Sequence, residues 1–158
     1  VTPVQMARAY AAIANGGVLV TPHLVDAIDG SGVKRKRGKR VVSRAVSNQM
    51  LSMLRGVVLE GTGTEAAIPG YTVAGKTGTA AKIDADTGRY SHSKYVASFV
   101  GMVPATKPRL VIMVMVAEPL GAYYGGEVAA PAFKQIARFN LQHLEVPPDA
   151  RRTTTSMG

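Results

Sequence analysis

Apolar residues recur along this chain with two different periods, and the change from one to the other divides it into elements. Val4, Ala7, Ala11 and Ala14 share a helical face with Tyr10 beside them, behind Thr2-Pro3-Val4-Gln5. That opening offers a threonine N-cap, a proline at the first helical position and a glutamine three residues after the cap, the pattern of a capping box. Gly16-Gly17 ends the helix. Residues 18–28 have strand-like content, with Pro22 arguing for an edge position, Asp29-Gly30-Ser31-Gly32 is a turn, and a basic run returns to Val41-Val42. Residues 18–42 therefore read as a surface hairpin. A second helix, capped by Ser43 or Ser47, carries Val46, Met50, Leu54, Val57 and Val58 at helical spacing and stops at Gly61.

Gly61-Thr62-Gly63 turns the chain, residues 64–68 allow one helical turn, and Pro69-Gly70 delivers the chain into an apolar run, 71–74, that reads as a strand. Residues 82–94 are polar and read as a loop or a long hairpin connection. Residues 95–103 and 110–117 are two further strands, the second being the most strand-like run of the chain. Strands joined in sequence by hairpins make an antiparallel sheet. Residues 118–127 form a loop carrying Tyr123-Tyr124-Gly125-Gly126, and a last helix runs from about Pro131 to Leu144, with Phe133, Ile136, Ala137, Leu141 and Leu144 facing inward. The fold class is α+β, an antiparallel sheet flanked by helices, over residues 1–149. Residues 150–158, polar and threonine-rich, read as a disordered tail.

With 158 residues and 46% hydrophobic content the chain can bury one core. The absence of cysteine excludes a disulfide framework and any thiolate ligand or nucleophile. Val1-Thr2-Pro3 lacks an initiating methionine and leads straight into a helix, so the N-terminus reads as cut. The net charge of +9 is local: seven of the 19 basic residues lie in 34–44 with no acid among them, and the rest of the chain is nearly balanced. No aromatic residue interleaves that run to stack on a base, so a nucleic-acid partner is not expected and the run reads as a solvated turn. His23, His92 and His143 are scattered, and Asp84 and Asp86 lack the glycine and terminal glutamate of a calcium loop. We expect neither metal nor cofactor.

The chemistry concentrates in Val73-Ala74-Gly75-Lys76-Thr77-Gly78-Thr79-Ala80-Ala81, which places a cation and two hydroxyls among small residues. In a strand, Lys76 and Gly78 face one way and Gly75, Thr77 and Thr79 the other. Glycine inside a strand usually marks close approach by a backbone or a ligand. Two readings stand on this stretch alone: a glycine-rich edge strand with a solvated lysine, or a strand that faces a ligand. A phosphate-binding loop is excluded, since Lys76 does not open a helix.

Lys76-Thr77-Gly78-Thr79 on a strand resembles the third motif of the penicillin-recognising serine enzymes. The capping-box start with Ala14-Asn15-Gly16-Gly17, the Gly61-Thr62-Gly63 turn, Pro69-Gly70-Tyr71, Val103-Pro104-Ala105 and Tyr124-Gly125-Gly126 extend the resemblance to the class B penicillin-binding proteins, the monofunctional peptidoglycan D,D-transpeptidases of division and elongation. In that family the nucleophile of Ser-x-x-Lys and the Ser-x-Asn motif precede the helix that begins here at Thr2. Residues 1–149 thus correspond to the C-terminal portion of a transpeptidase domain. The strings Ser31-Gly32-Val33-Lys34 and Ser91-His92-Ser93-Lys94 fall in a turn and a loop, and read as coincidences. The resemblance implies that Lys76 orients the serine of the second motif, that Thr77 and Thr79 hold the substrate carboxylate, and that the Thr79 N–H is one oxyanion donor. It further implies that Gly75 and Gly78 let a substrate backbone lie along the strand edge. Tyr123 and Tyr124 either wall this cleft or pack on the sheet as loop aromatics.

The implied partners are the peptidoglycan stem peptide, β-lactam antibiotics, the N-terminal part of the same protein and other cell-wall synthesis proteins. The implied place is the outer face of the cytoplasmic membrane, through an N-terminal anchor outside this chain. The 158 residues alone are expected to be inactive. The alternatives are a β-lactamase or carboxypeptidase relative, a non-catalytic β-lactam sensor or peptidoglycan-binding module, and a nucleic-acid binder resting on residues 34–44.

Overall fold

The computed structural model describes residues 1–150. The tail expected at 150–158 lies outside the described residues except Ala150, whose N–H donates to the Gly70 carbonyl at 3.1 Å. Helix α1 spans Pro3–Ala14 behind the anticipated capping box, with the Gln5 N–H on Thr2 Oγ1 at 3.2 Å and the Thr2 N–H on Gln5 Oε1 at 2.8 Å. Tyr10 and Ala14 pack inward as expected, but Val4 is exposed, and Ala12 and Ile13 belong to the buried face instead. Helix α2, Arg44–Leu59, is capped by Ser43. Its buried positions are Ser47, Leu54 and Val58, and Val46 is exposed. A hydroxyl occupies the buried place because Ser47 Oγ donates to the Ile13 carbonyl near the end of α1, which satisfies both groups.

The core is an antiparallel sheet ordered β5-β6-β7, with β5 at Ala74–Ile83, β6 at Tyr90–Val103 and β7 at Leu110–Ala117. Side-chain alternation sends the two faces of β6 to two clusters. Phe99 and Val103 pack with Ala130, Phe133, Ala137 and Leu141 of helix α3, Gly125–His143, while Met102 packs with Leu54 of α2 and Tyr10 of α1. The α+β reading, with helices on the sheet, is correct.

Three boundaries differ from those read in the sequence. The first hairpin of the sheet is longer: Ile83 still pairs with Tyr90, and the turn closes on Asp84, whose carboxylate accepts the N–H groups of Asp86 and Thr87. The strand at Lys76 begins at Ala74 rather than Tyr71, because Thr72 is diverted; its backbone carbonyl and hydroxyl both accept the Ala105 N–H. Helix α3 begins at Gly125, six residues before Pro131, which sits inside it and leaves the Glu127 carbonyl without its helical donor. Packing outweighs that loss, since Ala129, Ala130 and Phe133 are all fully buried. Ile136 and Leu144, expected inward, are exposed.

Residues 18–42 are a surface excursion as anticipated, but the strand content shrinks to four two-residue pieces. These are β1 (Val18–Leu19) paired with β4 (Lys39–Arg40), and β2 (Ala27–Ile28) paired with β3 (Ser31–Gly32).

The chain after α3 is latched to the start of β5. Asp149 accepts the Thr72 N–H at 2.7 Å and the hydroxyls of Thr72 and Thr106, and Tyr71 Oη donates to the Val146 carbonyl at 2.6 Å. Burial acts to raise the Asp149 pKa, but the hydrogen bonds from Thr106 and Thr72 outweigh it and hold the carboxyl below its ordinary value. A depressed carboxylate pKa contributes stability that is present above the unfolded-state value and is lost as pH falls through the folded-state value. We expect D149A to destabilise the full-length protein by about 1–2 kcal/mol in urea unfolding at neutral pH. The difference between variant and wild type should shrink on acidification; a constant difference down to pH values below the carboxylate range would rule out this latch.

Candidate active site

Lys76, Thr77, Gly78 and Thr79 lie on β5, an edge strand whose far side has no partner strand among the described residues. Two glycines set how tightly the sheet packs. A Cβ on Gly75 would stand 2.5 Å from Phe99 Cζ, and one on Gly101 would stand 2.7 Å from the Phe133 ring. Gly75 and Gly101 are register partners, so together they make room for the Phe99–Phe133 pair, whose centroids are 4.9 Å apart. This corrects the expectation for Gly75. It is buried, and the space beside it belongs to Phe99 rather than to a ligand. Gly78 is half-buried, with Ser98 Oγ 2.5 Å from where its Cβ would be.

Gly125 and Gly126 seat the N-terminus of α3 on this strand. A Cβ on Gly125 would overlap the carbonyl oxygens of Ser98 and Gly78, and one on Gly126 would overlap that of Thr62. The close seating brings the Gly125 N–H to Thr79 Oγ1 at 3.1 Å. It also gathers Thr62, Thr77, Thr79, Tyr124 and the α3 N-terminus around a cleft of about 530 Å³.

The hydrogen-bond directions within the cleft follow from the donors present. Gly125 N–H can only donate, so Thr79 Oγ1 accepts and keeps its own proton for another partner. The Lys76 ammonium donates to Thr77 Oγ1 at 3.2 Å and to the Thr77 carbonyl at 3.1 Å. Thr77 Oγ1 also lies 2.7 Å from Thr62 Oγ1, where either hydroxyl can donate, so one proton of that pair is left for another acceptor. Two hydroxyls already supplied with donors, beside an ammonium and a helix N-terminus, form a site for an acceptor-rich, anionic group. Glu65 and Glu127 line the same cleft, so the preference for an anion is confined to the β5 side.

The two tyrosines divide between the readings left open. Tyr124 precedes α3 and lines the cleft. Tyr123 stacks on Tyr95 of β6, with centroids 4.5 Å apart and planes 18° from parallel, and its Oη donates to Tyr124 Oη at 3.3 Å. The hydrogen bond with Tyr124, and then the charge Tyr124 would carry, raise the Tyr123 phenol above its ordinary value. Thr62 and Tyr95 were missed as site residues. Thr62 had a signal, a hydroxyl between two glycines in a turn, whereas Tyr95 lies in an ordinary strand pattern with nothing to tie it to Tyr123. Both Ser-x-x-Lys strings are off helices, one beginning at β3 and the other within β6.

The family model for the penicillin-binding protein transpeptidase domain matches residues 1–138. The chain is 41% identical over 156 residues to Stage V sporulation protein D of Bacillus subtilis, covering 94% of this chain and 24% of that protein. It is 39% identical over 155 residues to the peptidoglycan D,D-transpeptidase FtsI of Escherichia coli, covering 97% and 25%. The chain spans about a quarter of the length of these relatives. Among solved structures it is similar to penicillin-binding protein 3 of Mycobacterium tuberculosis complexed with ampicillin, with a TM-score of 0.84 and 38% identity over 97% of this chain and 37% of that one. The apo transpeptidase domain of Burkholderia pseudomallei penicillin-binding protein 3 gives 0.82 and 42% over 96% and 45%.

Because the atoms that a Cβ on Gly125 would meet are backbone, no rotamer change can relieve the overlap. We expect G125A to cost about 1–3 kcal/mol in urea unfolding of the full-length protein, and to do so more than G56A on the exposed face of α2, where the backbone is helical and the added methyl meets nothing. Equal costs at the two positions would refute the close seating of α3.

Proposed function

The chain belongs to the penicillin-binding protein transpeptidase family, and we propose that it forms one wall of a serine D,D-transpeptidase site, on which the terminal carboxylate of a peptidoglycan stem peptide or a β-lactam is held. The observation that carries this reading is the proton arrangement on β5. Thr79 accepts from Gly125, and Thr77 accepts from Lys76 while pairing with Thr62, so the Thr79 hydroxyl and one hydroxyl of the Thr62–Thr77 pair are set to donate to a carboxylate.

The roles follow from what acyl transfer requires. The nucleophile needs activation, the substrate carboxylate needs an electropositive seat, and the developing oxyanion needs fixed donors. Lys76 stays cationic and orients the serine of the second motif. Thr77 and Thr79 bind the carboxylate with Thr62 as a supporting hydroxyl, and the Thr79 N–H is one of the oxyanion donors. The open edge of β5, with Gly78 in it, accepts the substrate backbone as an added strand. Tyr124 walls the cleft, and Tyr123, stacked on Tyr95, holds Tyr124 in place.

The nucleophilic serine and the Ser-x-Asn motif belong, in this reading, to a part of the protein outside these 158 residues, and residues 1–149 are the C-terminal portion of the transpeptidase domain. The protein would cross-link stem peptides through a serine acyl-enzyme on the outer face of the cytoplasmic membrane, alongside other cell-wall synthesis proteins. No helix among the described residues is long and apolar enough to cross a membrane; the membrane anchor belongs, in this reading, to the same outside part.

Covalent labelling by a fluorescent penicillin tests this. The full-length protein is expected to label, and the 158 residues alone are not. T77V and T79V should each slow acylation by about 10- to 100-fold, the loss of one hydrogen bond to a charged group, and K76A by about 10²- to 10³-fold. A full-length protein that never labels would replace the enzyme with a non-catalytic binding module. Labelling of the isolated chain would mean that the nucleophile lies within it.

A further inference from the structure

Residues 18–42 leave the body of the fold as two arms that are tied at both ends and open between. At the base, Val18 and Leu19 pair with Arg40 and Lys39. At the tip, Ala27 and Ile28 pair with Gly32 and Ser31, and the Val33 N–H donates to the Asp26 carbonyl at 3.0 Å. Between these ties, residues 21–25 and 34–38 make no backbone–backbone hydrogen bond among the described residues. Pro22 has no N–H to give a ladder, so the outgoing arm cannot zip continuously onto the returning one. The gap is a groove of about 430 Å³ with Val20, Val25 and Val33 in its lining and Lys34, Arg35 and Lys36 along the returning arm.

The charge in this groove is largely uncompensated. Arg35 is ion-paired with Asp26, and Arg40 donates to the carbonyls of Gly16 and Val42. Lys34, Lys36, Arg37 and Lys39 have no acidic partner among the described residues. We infer that the groove docks an extended, acidic segment of a partner protein as an added strand, its aliphatic side chains on the three valines and its carboxylates on the lysines and Arg37. Three properties converge on that occupant. A row of unpaired backbone donors and acceptors is completed by another strand, an aliphatic lining takes alternate apolar side chains, and the uncompensated cations take carboxylates. A bilayer surface or a single-stranded nucleic acid fits less well. Residues 18–42 contain no aromatic residue, the residue type that membrane interfaces and base stacking both recruit. The groove is separate from the β5 cleft, and its occupant does not depend on what that cleft does.

The test is fluorescence anisotropy on the full-length protein with a labelled peptide of alternating glutamate and valine. Saturable binding is expected, weakened at least about tenfold by K34E/K36E/R37E and also weakened by V33S, a second variant that leaves the charge intact. An unchanged thermal midpoint shows that each variant is folded. Amides of residues 21–25 and 34–38 should gain hydrogen-exchange protection when the peptide binds. Equal binding of an alternating glutamate–serine peptide would reduce the effect to net charge and overturn the proposal. So would binding without protection of either arm. Capture of phosphatidylglycerol vesicles or single-stranded DNA in place of the peptide would reassign the surface to those ligands.

Discussion

The contact on which this structure depends most is the seating of the first turn of α3 against the backbones of β5 and β6. Two glycines permit it, since any side chain at 125 or 126 would drive into carbonyl oxygens of Ser98, Gly78 or Thr62. A helix that approaches a sheet this closely places its N-terminal N–H groups within hydrogen-bonding reach of the strand's side chains. Here the first of them is committed to Thr79. The same approach lets α3 continue through Pro131 despite a lost helical hydrogen bond, because Ala129, Ala130 and Phe133 are already buried by it. One steric permission therefore sets the position of a helix, the burial of a core face and the hydrogen bond that the Thr79 hydroxyl accepts.

The glycines of the sheet serve a related purpose. Gly75 and Gly101, opposite each other in register, vacate the volume that Phe99 and Phe133 fill. The rings fix β5 against α3 from the inside while Gly125 and Gly126 fix it from the end. Between these two constraints lie Thr77 and Thr79, whose side chains are held on the cleft side. A carboxylate arriving there meets donors that are already oriented, so little reorganisation is required at binding, which is the condition under which electrostatic stabilisation is most effective. The latch at Asp149 holds the other end of the same strand, by tying Thr72 to the chain that follows α3.

The excursion at 18–42 is built on the opposite principle. Its pairing is confined to two short ladders, its aliphatic residues are largely exposed, and its positive charge is mostly unpaired. Such a segment contributes little to the core and much to what the surface can meet. The concentration of charge there also explains how a chain with a net charge of +9 has a sheet and cleft region whose charges are nearly balanced.

Much of the local structure was legible in the sequence, because it is set by neighbours a few residues apart. The Thr2–Gln5 capping box, the Ser43 cap, the glycine stops, the order of three antiparallel strands and the Lys76-Thr77-Gly78-Thr79 motif all depend on short-range pattern, and all are in place. Periodicity was less reliable for the choice of face where alanine and valine surround the helix. It placed Val46 and Ile136 inward, but the partner surfaces selected Ser47 in place of Val46 and, of the adjacent pair Ile136 and Ala137, only Ala137. Tertiary structure alone decided what depends on residues far apart in the chain. The start of α3, the meeting of Thr62 with Thr77 and of Tyr95 with Tyr123, and the filling of the space beside Gly75 by Phe99 are contacts across 15 residues or more or a balance of packing against a lost hydrogen bond. The sequence by itself determined that Lys76 stands beside Thr77 and can donate to it; only the close packing of α3 on β5 decided that Thr79 accepts from Gly125, because that donor arrives from 46 residues away in the chain.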